Sequence, residues 1–302
     1  MFASSVRARY FVYKGKELCA IKARNQLSKP PISTPAPKSN INHHILKATM
    51  SSPLTYLITG ANRGIGKGFT STLLQRPNTT VIAGVRDVAK STSALESLPK
   101  ASGSKLIVVK IDSSDEADPK NAVAELQSKH GITSLDVVIA NAGIAHSGTT
   151  IINTSSDALR DHFAVNTIGP ILLFQAVKPL LQASKSGNPI YLGISTVIGS
   201  MGAQAMLAGF PQVFSPYGAS KAALNWAFAR IHFEESWLTS YVTHPGLVMT
   251  DMGSAMADPE ALKAAGAITV EQSVNGVLST LDKADRNLSG TFQNWDGTTL
   301  PW

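Results

Sequence analysis

The stretch Leu54-Thr55-Tyr56-Leu57-Ile58-Thr59-Gly60-Ala61-Asn62-Arg63-Gly64-Ile65-Gly66 carries a short apolar run into three glycines, and a helical pattern follows from Lys67. Glycines in such a turn allow φ angles closed to other residues and let the backbone come close to a pyrophosphate. The start of the following helix offers unpaired N–H groups and the positive end of its dipole, both of which favour anions. A glycine triplet alone marks many kinds of turn. Placed between a first strand and a first helix, it marks a dinucleotide cradle. The spacing is Gly-x-x-x-Gly-x-Gly rather than the commoner Gly-x-Gly-x-x-Gly.

Outward from this turn, short apolar runs alternate with longer amphipathic stretches. The runs cover residues 54–59, 80–85, 105–111, 135–140, 189–195 and 237–243, and the helical candidates include 67–75, 119–130 and 157–184. Runs that are apolar on both sides suit strands covered on both faces. Their alternation with helices predicts βαβ units, and so one doubly wound α/β domain of Rossmann type over residues 51–302. The dinucleotide would bind at the carboxyl ends of the strands.

The formal charge of +7 is unevenly placed. Residues 1–50 hold nine Lys/Arg against one acid, Glu17, and residues 51–302 hold 18 Lys/Arg against 19 Asp/Glu. The domain therefore has no net basic character for a nucleic-acid backbone, and nucleic acid is not an expected partner. No uninterrupted apolar run reaches the roughly 18 residues of a bilayer crossing, so no membrane span is expected. The first 50 residues lack apolar periodicity and contain Pro30, Pro31, Pro35 and Pro37, which predicts a flexible basic leader. Its acid-poor, Arg/Lys-rich composition resembles a mitochondrial presequence. Met50, directly before the first strand, favours the plainer reading of a dispensable extension, and with it a cytoplasmic enzyme. The only cysteine, Cys19, lies in this leader, so neither a disulfide framework nor a thiolate metal site is expected. The seven histidines show no metal-ligand spacing, and no metal is expected.

The end of the second strand separates NAD from NADP, because a carboxylate there accepts a ribose 2′-hydroxyl and repels a 2′-phosphate. Here Val85 and Arg86 occupy the turn, with Asp87 one step later, and Arg63 lies within the glycine loop. Either arginine alone reads as a solvated surface residue. Two guanidiniums in these positions suit a phosphate dianion, which predicts NADP(H).

Four elements in order, Thr59-Gly60-x-x-x-Gly64-x-Gly66, Asn141-Ala142-Gly143, Tyr217-x-x-x-Lys221 and Pro245-Gly246-x-Val248-x-Thr250, resemble the short-chain dehydrogenase/reductase family over residues 54–302. The resemblance implies that Gly60, Asn62, Arg63, Gly64, Ile65 and Gly66 line the cofactor and that Asp112 lies near the adenine. It also implies that Asn141, Ala142 and Gly143 steady the sheet beside the cofactor. Pro245 and Gly246 form a turn at the nicotinamide, with Val248 at its amide and Thr250 at the phosphates or amide. In this family the helices at 157–184 and 216–236 pair across subunits, which implies a homodimer or homotetramer. Within the family, residues 73–77, the stretch 231–237 and the Leu-Pro-Trp ending resemble fungal ketoreductases of aromatic polyketide pathways, of the norsolorinic acid ketoreductase type.

Ketone reduction needs a hydride on carbon and a proton on oxygen. Free tyrosine, with a pKa of about 10, is a poor proton shuttle near neutrality. Lys221 lies four residues after Tyr217 on the same helix face, so its ammonium is expected to lower that pKa and to bind the ribose hydroxyls. A lone Tyr-x-x-x-Lys is more often surface decoration; the hydroxyls before it and the Pro-Gly turn after it argue otherwise. Ile194-Ser195-Thr196-Val197-Ile198-Gly199-Ser200 leaves two candidates for the hydroxyl that binds the substrate oxygen. Alignment on the glycine selects Thr196, and a one-residue shift of the loop selects Ser195. By resemblance Asn166 holds a proton-relay water behind the lysine, and as a bare residue it reads as a helix-bend asparagine bonding nearby backbone. The apolar segment 199–216, with Met201, Met206, Leu207, Phe210 and Phe214, suits a flat hydrophobic carbonyl substrate, or else caps the core or meets a neighbouring subunit. Residues 250–267 read as a lid over the cofactor.

Overall fold

The computed structural model describes residues 53–146, 148–209, 213–254 and 259–302. The leader expectation, Phe210 and part of the lid segment lie outside them. The strands are β1 (Thr55–Thr59), β2 (Thr80–Val85), β3 (Lys105–Lys110), β4 (Val137–Ala140), β5 (Ile190–Ile194), β6 (Thr239–His244), β7 (Phe292–Asn294) and β8 (Thr299–Leu300). They form one sheet in the order β3-β2-β1-β4-β5-β6-β7-β8. Pairing is parallel from β3 through β7, and β8 folds back antiparallel on β7. The chain runs outward from β1 to β3 and then crosses to β4 on the other side. That reversal opens a crevice at the carboxyl ends of β1 and β4, where α/β sheets bind ligands.

The α-helices are α1 (Gly64–Leu74), α2 (Val88–Glu96), α3 (Asp118–His130), α4 (Ser156–Phe163), α5 (Gly169–Gln182), α6 (Ser215–Glu234), α7 (Asp251–Ser254), α8 (Pro259–Ala264) and α9 (Val270–Leu281). Strand side chains alternate between two cores, because successive Cβ atoms point to opposite faces. Tyr56 and Ile58 join Phe69, Leu73, Val274 and Leu278 beneath α1 and α9. Leu57 and Val138 join Leu173, Val177, Tyr191 and Phe228 beneath α5 and α6. In the second core the rings of Tyr191 and Phe228 stack with centroids 4.8 Å apart.

The single helix expected over 157–184 is instead two α-helices joined by a π turn at Ala164–Ile168. Pro170 supplies the reason: it has no N–H to give the carbonyl of Asn166 four residues before it, so the ladder shifts there. The combined helix Ser156–Gln182 is long and apolar enough by length and composition to cross a membrane, and half of that apolar window is buried inside the fold. Its apolar residues Leu173, Phe174, Val177, Leu180 and Leu181 pack in the core, which accounts for the composition. The expectation of no span therefore rests on this packing and not on hydropathy.

Candidate active site

Gly60, directly after the first strand, has φ +65°, and Gly64 opens α1 with φ +50°; both are left-handed conformations that suit glycine. Gly66 is required for a different reason. A Cβ there would lie 2.2 Å from the Gly60 carbonyl oxygen and 2.5 Å from Asn141 Nδ2. Arg63 stands at the N-cap of α1 in extended conformation, without a side-chain cap hydrogen bond. The first N–H groups of α1, those of Gly64, Ile65 and Gly66, have no acceptor within their own helix, as an anion cradle requires.

Asn141-Ala142-Gly143 braces this turn. The Asn141 and Ala142 N–H groups donate to Thr59 Oγ1 at 3.1 and 3.0 Å, and Asn141 Nδ2 donates to the Thr59 carbonyl at 2.8 Å. Thr250 covers the turn from the far side, its Cγ2 lying 3.5 Å from the place a Gly64 Cβ would take. Gly246 has φ +88°. Pro245 is tied by its carbonyl to Ser273 Oγ at 2.6 Å, and Val248 forms a parallel bridge to Ile268. Within the expected lid, the described portions form α7 and α8, and Thr250 Oγ1 accepts from Gly253 N–H at the start of α7.

Register pairs Thr59 with Gly84, which sets Arg86 next to the glycine loop that carries Asn62 and Arg63. Both arginines are exposed at this edge. Asp87 is occupied elsewhere: its Oδ1 accepts Lys90 N–H at 3.1 Å to cap α2, and its Oδ2 pairs with Lys90 Nζ at 3.0 Å. The carboxylate in the NAD-selecting neighbourhood is thus held by its own helix. Asp112 accepts from Ser114 N and Oγ at 3.0 and 2.7 Å. Burial opposes its ionisation, but these bonds, with Arg86 and Lys110 nearby, hold its carboxyl below the usual range.

At the carboxyl end of β5 the two candidate hydroxyls separate. Ser195 is buried and donates to Asn225 Oδ1 at 2.5 Å. Thr196 lies close enough to Tyr217 for its side chain to favour the ionised phenol, and its Oγ1 accepts Ile198 N–H at 3.3 Å. The Ser195 hydroxyl is thus engaged inside the fold by α6, and the Thr196 side chain lies on the Tyr217 side. Asn225 is four residues beyond Lys221, as Lys221 is beyond Tyr217, so one helix face supplies all three. The same four-residue spacing marks Asn225 in the sequence.

Lys221 is buried, with Nζ 2.7 Å from the Ile194 carbonyl and 6.0 Å from the centroid of the Tyr217 ring. Burial drives its pKa down to about 7. Tyr217 moves the opposite way from the expectation: burial pushes it up to about 12, opposed by the Thr196 hydrogen bond. The reason is geometric. Lys221 spends its closest contact on a backbone carbonyl, so desolvation of the phenol outweighs the ammonium. A phenol held in its neutral form is the state a proton donor needs.

Asn166, in the π turn, is fully buried. Its Nδ2 donates to the Ile144 carbonyl at 2.9 Å and to Ser220 Oγ at 3.0 Å, and its Oδ1 accepts Ile144 N–H at 2.9 Å. It thereby joins the loop after Asn141-Ala142-Gly143 to α6. On the substrate side, Met201 and Met206 are about 70% exposed, which argues against the core-capping reading of that segment. The segment is anchored at its start, where Ser200 Oγ donates to the Pro301 carbonyl at 2.7 Å and Gly202 N–H to Trp302 O at 2.5 Å.

A doubly wound sheet with a glycine cradle at its switch point and a Thr-Tyr-Lys group beside it defines a dinucleotide-linked oxidoreductase. The chain belongs to the short-chain dehydrogenase family, whose model matches residues 55–261. It is 43% identical over 254 residues to a norsolorinic acid ketoreductase of Dothistroma septosporum, covering 83% of this chain and 94% of that protein. It is 41% identical to a short-chain dehydrogenase of Pyricularia oryzae, covering 84% of this chain and all of that one. Among solved structures, NADPH-bound carbonyl reductase from chicken fatty liver superposes with a TM-score of 0.71 at 32% identity, covering 82% of this chain and 98% of that one.

Proposed function

We propose that the protein is an NADPH-dependent ketoreductase acting on hydrophobic carbonyl compounds of the aromatic polyketide type. The observation that carries this reading is the convergence of Thr196, Tyr217 and Lys221 at the end of β5, beside the Gly60–Gly66 cradle. The ketoreductase names of fungal relatives and the NADPH-bound carbonyl reductase neighbour support it. The cofactor, when bound, supplies the hydride to the carbonyl carbon. The Thr196 hydroxyl holds the substrate oxygen, and Tyr217 donates its phenolic proton there, giving the alcohol. Lys221 would hold the ribose hydroxyls, and Gly60, Asn62, Arg63 and Ile65 would line the phosphates and adenosine together with Arg86 and Asp112. A non-catalytic NADP sensor on this fold would be favoured by loss of Tyr217 or Lys221, and both are present.

Two contrasts test the assignment. Thr196→Ala removes a donor at the reacting oxygen and is expected to lower kcat by about a hundredfold. Ser195→Ala strands Asn225 in the core, so it should cost about 1–3 kcal/mol of stability and leave kcat near that of the unaltered enzyme. A Ser195→Ala enzyme that loses turnover while Thr196→Ala keeps it would reverse the roles. For the cofactor, Arg63→Ala with Arg86→Ala removes charge-assisted bonds worth about 1.5–3 kcal/mol each. KM for NADPH should rise at least tenfold while KM for NADH changes little, and equal changes in both would remove the 2′-phosphate reading.

A further inference from the structure

His162 is fully buried on α4, away from every group named in the chemistry above except one. Its Nε2 accepts the backbone N–H of His146 at 3.2 Å, so that nitrogen carries no proton. Its Nδ1 lies 2.7 Å from the Ala158 carbonyl and can only be a donor there. The imidazole is therefore fixed as the neutral Nδ1–H tautomer by two backbone groups. The same ring meets Tyr217 edge-on, with centroids 6.5 Å apart at 64°, and the ring of His146 at 4.6 Å. One turn later Asn166 clamps Ile144 and Ser220. His162 and Asn166 thus hold the same loop against the same helix, but only His162 can titrate.

We propose that His162 is a positioning residue for Tyr217: as a neutral imidazole it holds the loop 144–146 against the phenol ring, and protonation of Nε2 releases that hold. The inference rests on Tyr217 being the proton donor. A proton on Nε2 would turn two N–H donors toward each other across the His146 contact, which the buried site cannot relieve with water. The titratable groups facing the ring are His146 from the loop, Tyr217 from α6 and Asp161 on its own helix. Burial, with help from His146, keeps the imidazole below its ordinary range against the pull of Asp161 and of the Ala158 and His146 backbone bonds. The hold is therefore complete at neutral pH and is lost as the pH falls below the usual histidine range.

The experiment is the pH dependence of kcat at saturating NADPH and carbonyl substrate for the unaltered enzyme, His162→Gln and His162→Phe, with Tyr217→Phe alongside. The glutamine amide reaches the Nε2 position and can accept from His146 N–H without titrating, so His162→Gln should keep most of the neutral-pH kcat and lose the part of the acid inflection that the unaltered enzyme owes to His162. His162→Phe should lose about tenfold in kcat at every pH with little change in KM for NADPH, as expected of a misplaced reacting group. An acid limb of kcat identical in the unaltered enzyme and His162→Gln, or a full kcat in His162→Phe, overturns the inference. Nitrogen-15 shifts of the unaltered protein give a reading free of any folding defect. They should show His162 as Nδ1–H at pH 7, and an Nε2–H tautomer would equally overturn it. Activity surviving in Tyr217→Phe would defeat the proton-donor reading instead, whatever the His162 variants do.

Discussion

Tyr217→Phe is expected to lower kcat for carbonyl reduction by about 10²–10⁴-fold, the range that a positioned proton donor contributes. The substitution removes one oxygen from a half-buried ring and keeps the shape that touches His162. NADPH binding, read by fluorescence titration, should stay within a few-fold, because the substitution leaves the glycine turn, Arg63, Arg86 and Lys221 unchanged. The phenol is held protonated by burial, so the loss should be similar throughout the neutral range and not confined to one limb of the pH profile. A variant with full turnover would assign the proton to another group and remove the central claim of the proposed mechanism.

Gly66→Val should be the most damaging single change to the cofactor site. Even the first carbon of a side chain would lie 2.2 Å from the Gly60 carbonyl oxygen, and the obstructing atom is backbone, which cannot swing aside as a side chain can. Overpacking of this kind costs about 1–3 kcal/mol where neighbours can shift, and more where they cannot. The glycine turn must open to admit the branched side chain, which separates it from Asn141 and spoils the approach to a pyrophosphate. Thermal unfolding should fall by several degrees and NADPH titration should show no saturable binding. Gly66→Ala should lie between the two enzymes. Unaltered affinity in Gly66→Val would mean that the cofactor does not use this turn.

Most of the architecture was legible because its signals are local. Six apolar runs predicted β1 to β6 to within a residue or two at each end, and the glycines placed the cradle between β1 and α1. The last two strands escaped because β7 and β8 are only three and two residues long, too short for any periodicity to register. Their hairpin did leave a sign in Asp296-Gly297, a pair suited to tight turns. The π turn was hidden because Pro170 reads as a helix start or a kink, and only the surrounding packing selects between them.

The site divides in the same way. Tyr217 and Lys221 could be paired by helical spacing, but which of two adjacent hydroxyls joins them depends on Asn225, a partner thirty residues from Ser195. The direction of the Tyr217 shift could not be read from spacing either. It depends on where Lys221 Nζ goes, and that is settled by the Ile194 carbonyl at the end of β5. His162 gave no signal at all, since a lone histidine on a helix is usually a packed core residue and its partners lie in a separate loop.

The bracing of Thr59 by Asn141 spans 82 positions of chain. Closing so long a loop is entropically unfavourable and is made good only by the contacts that form afterwards. During synthesis, β1, α1 and β2 can emerge and associate while the residues that steady the glycine turn are still unmade. The brace of the glycine turn is thus available only once the chain has been made through Ala142, although the turn's own sequence lies near the beginning of the domain.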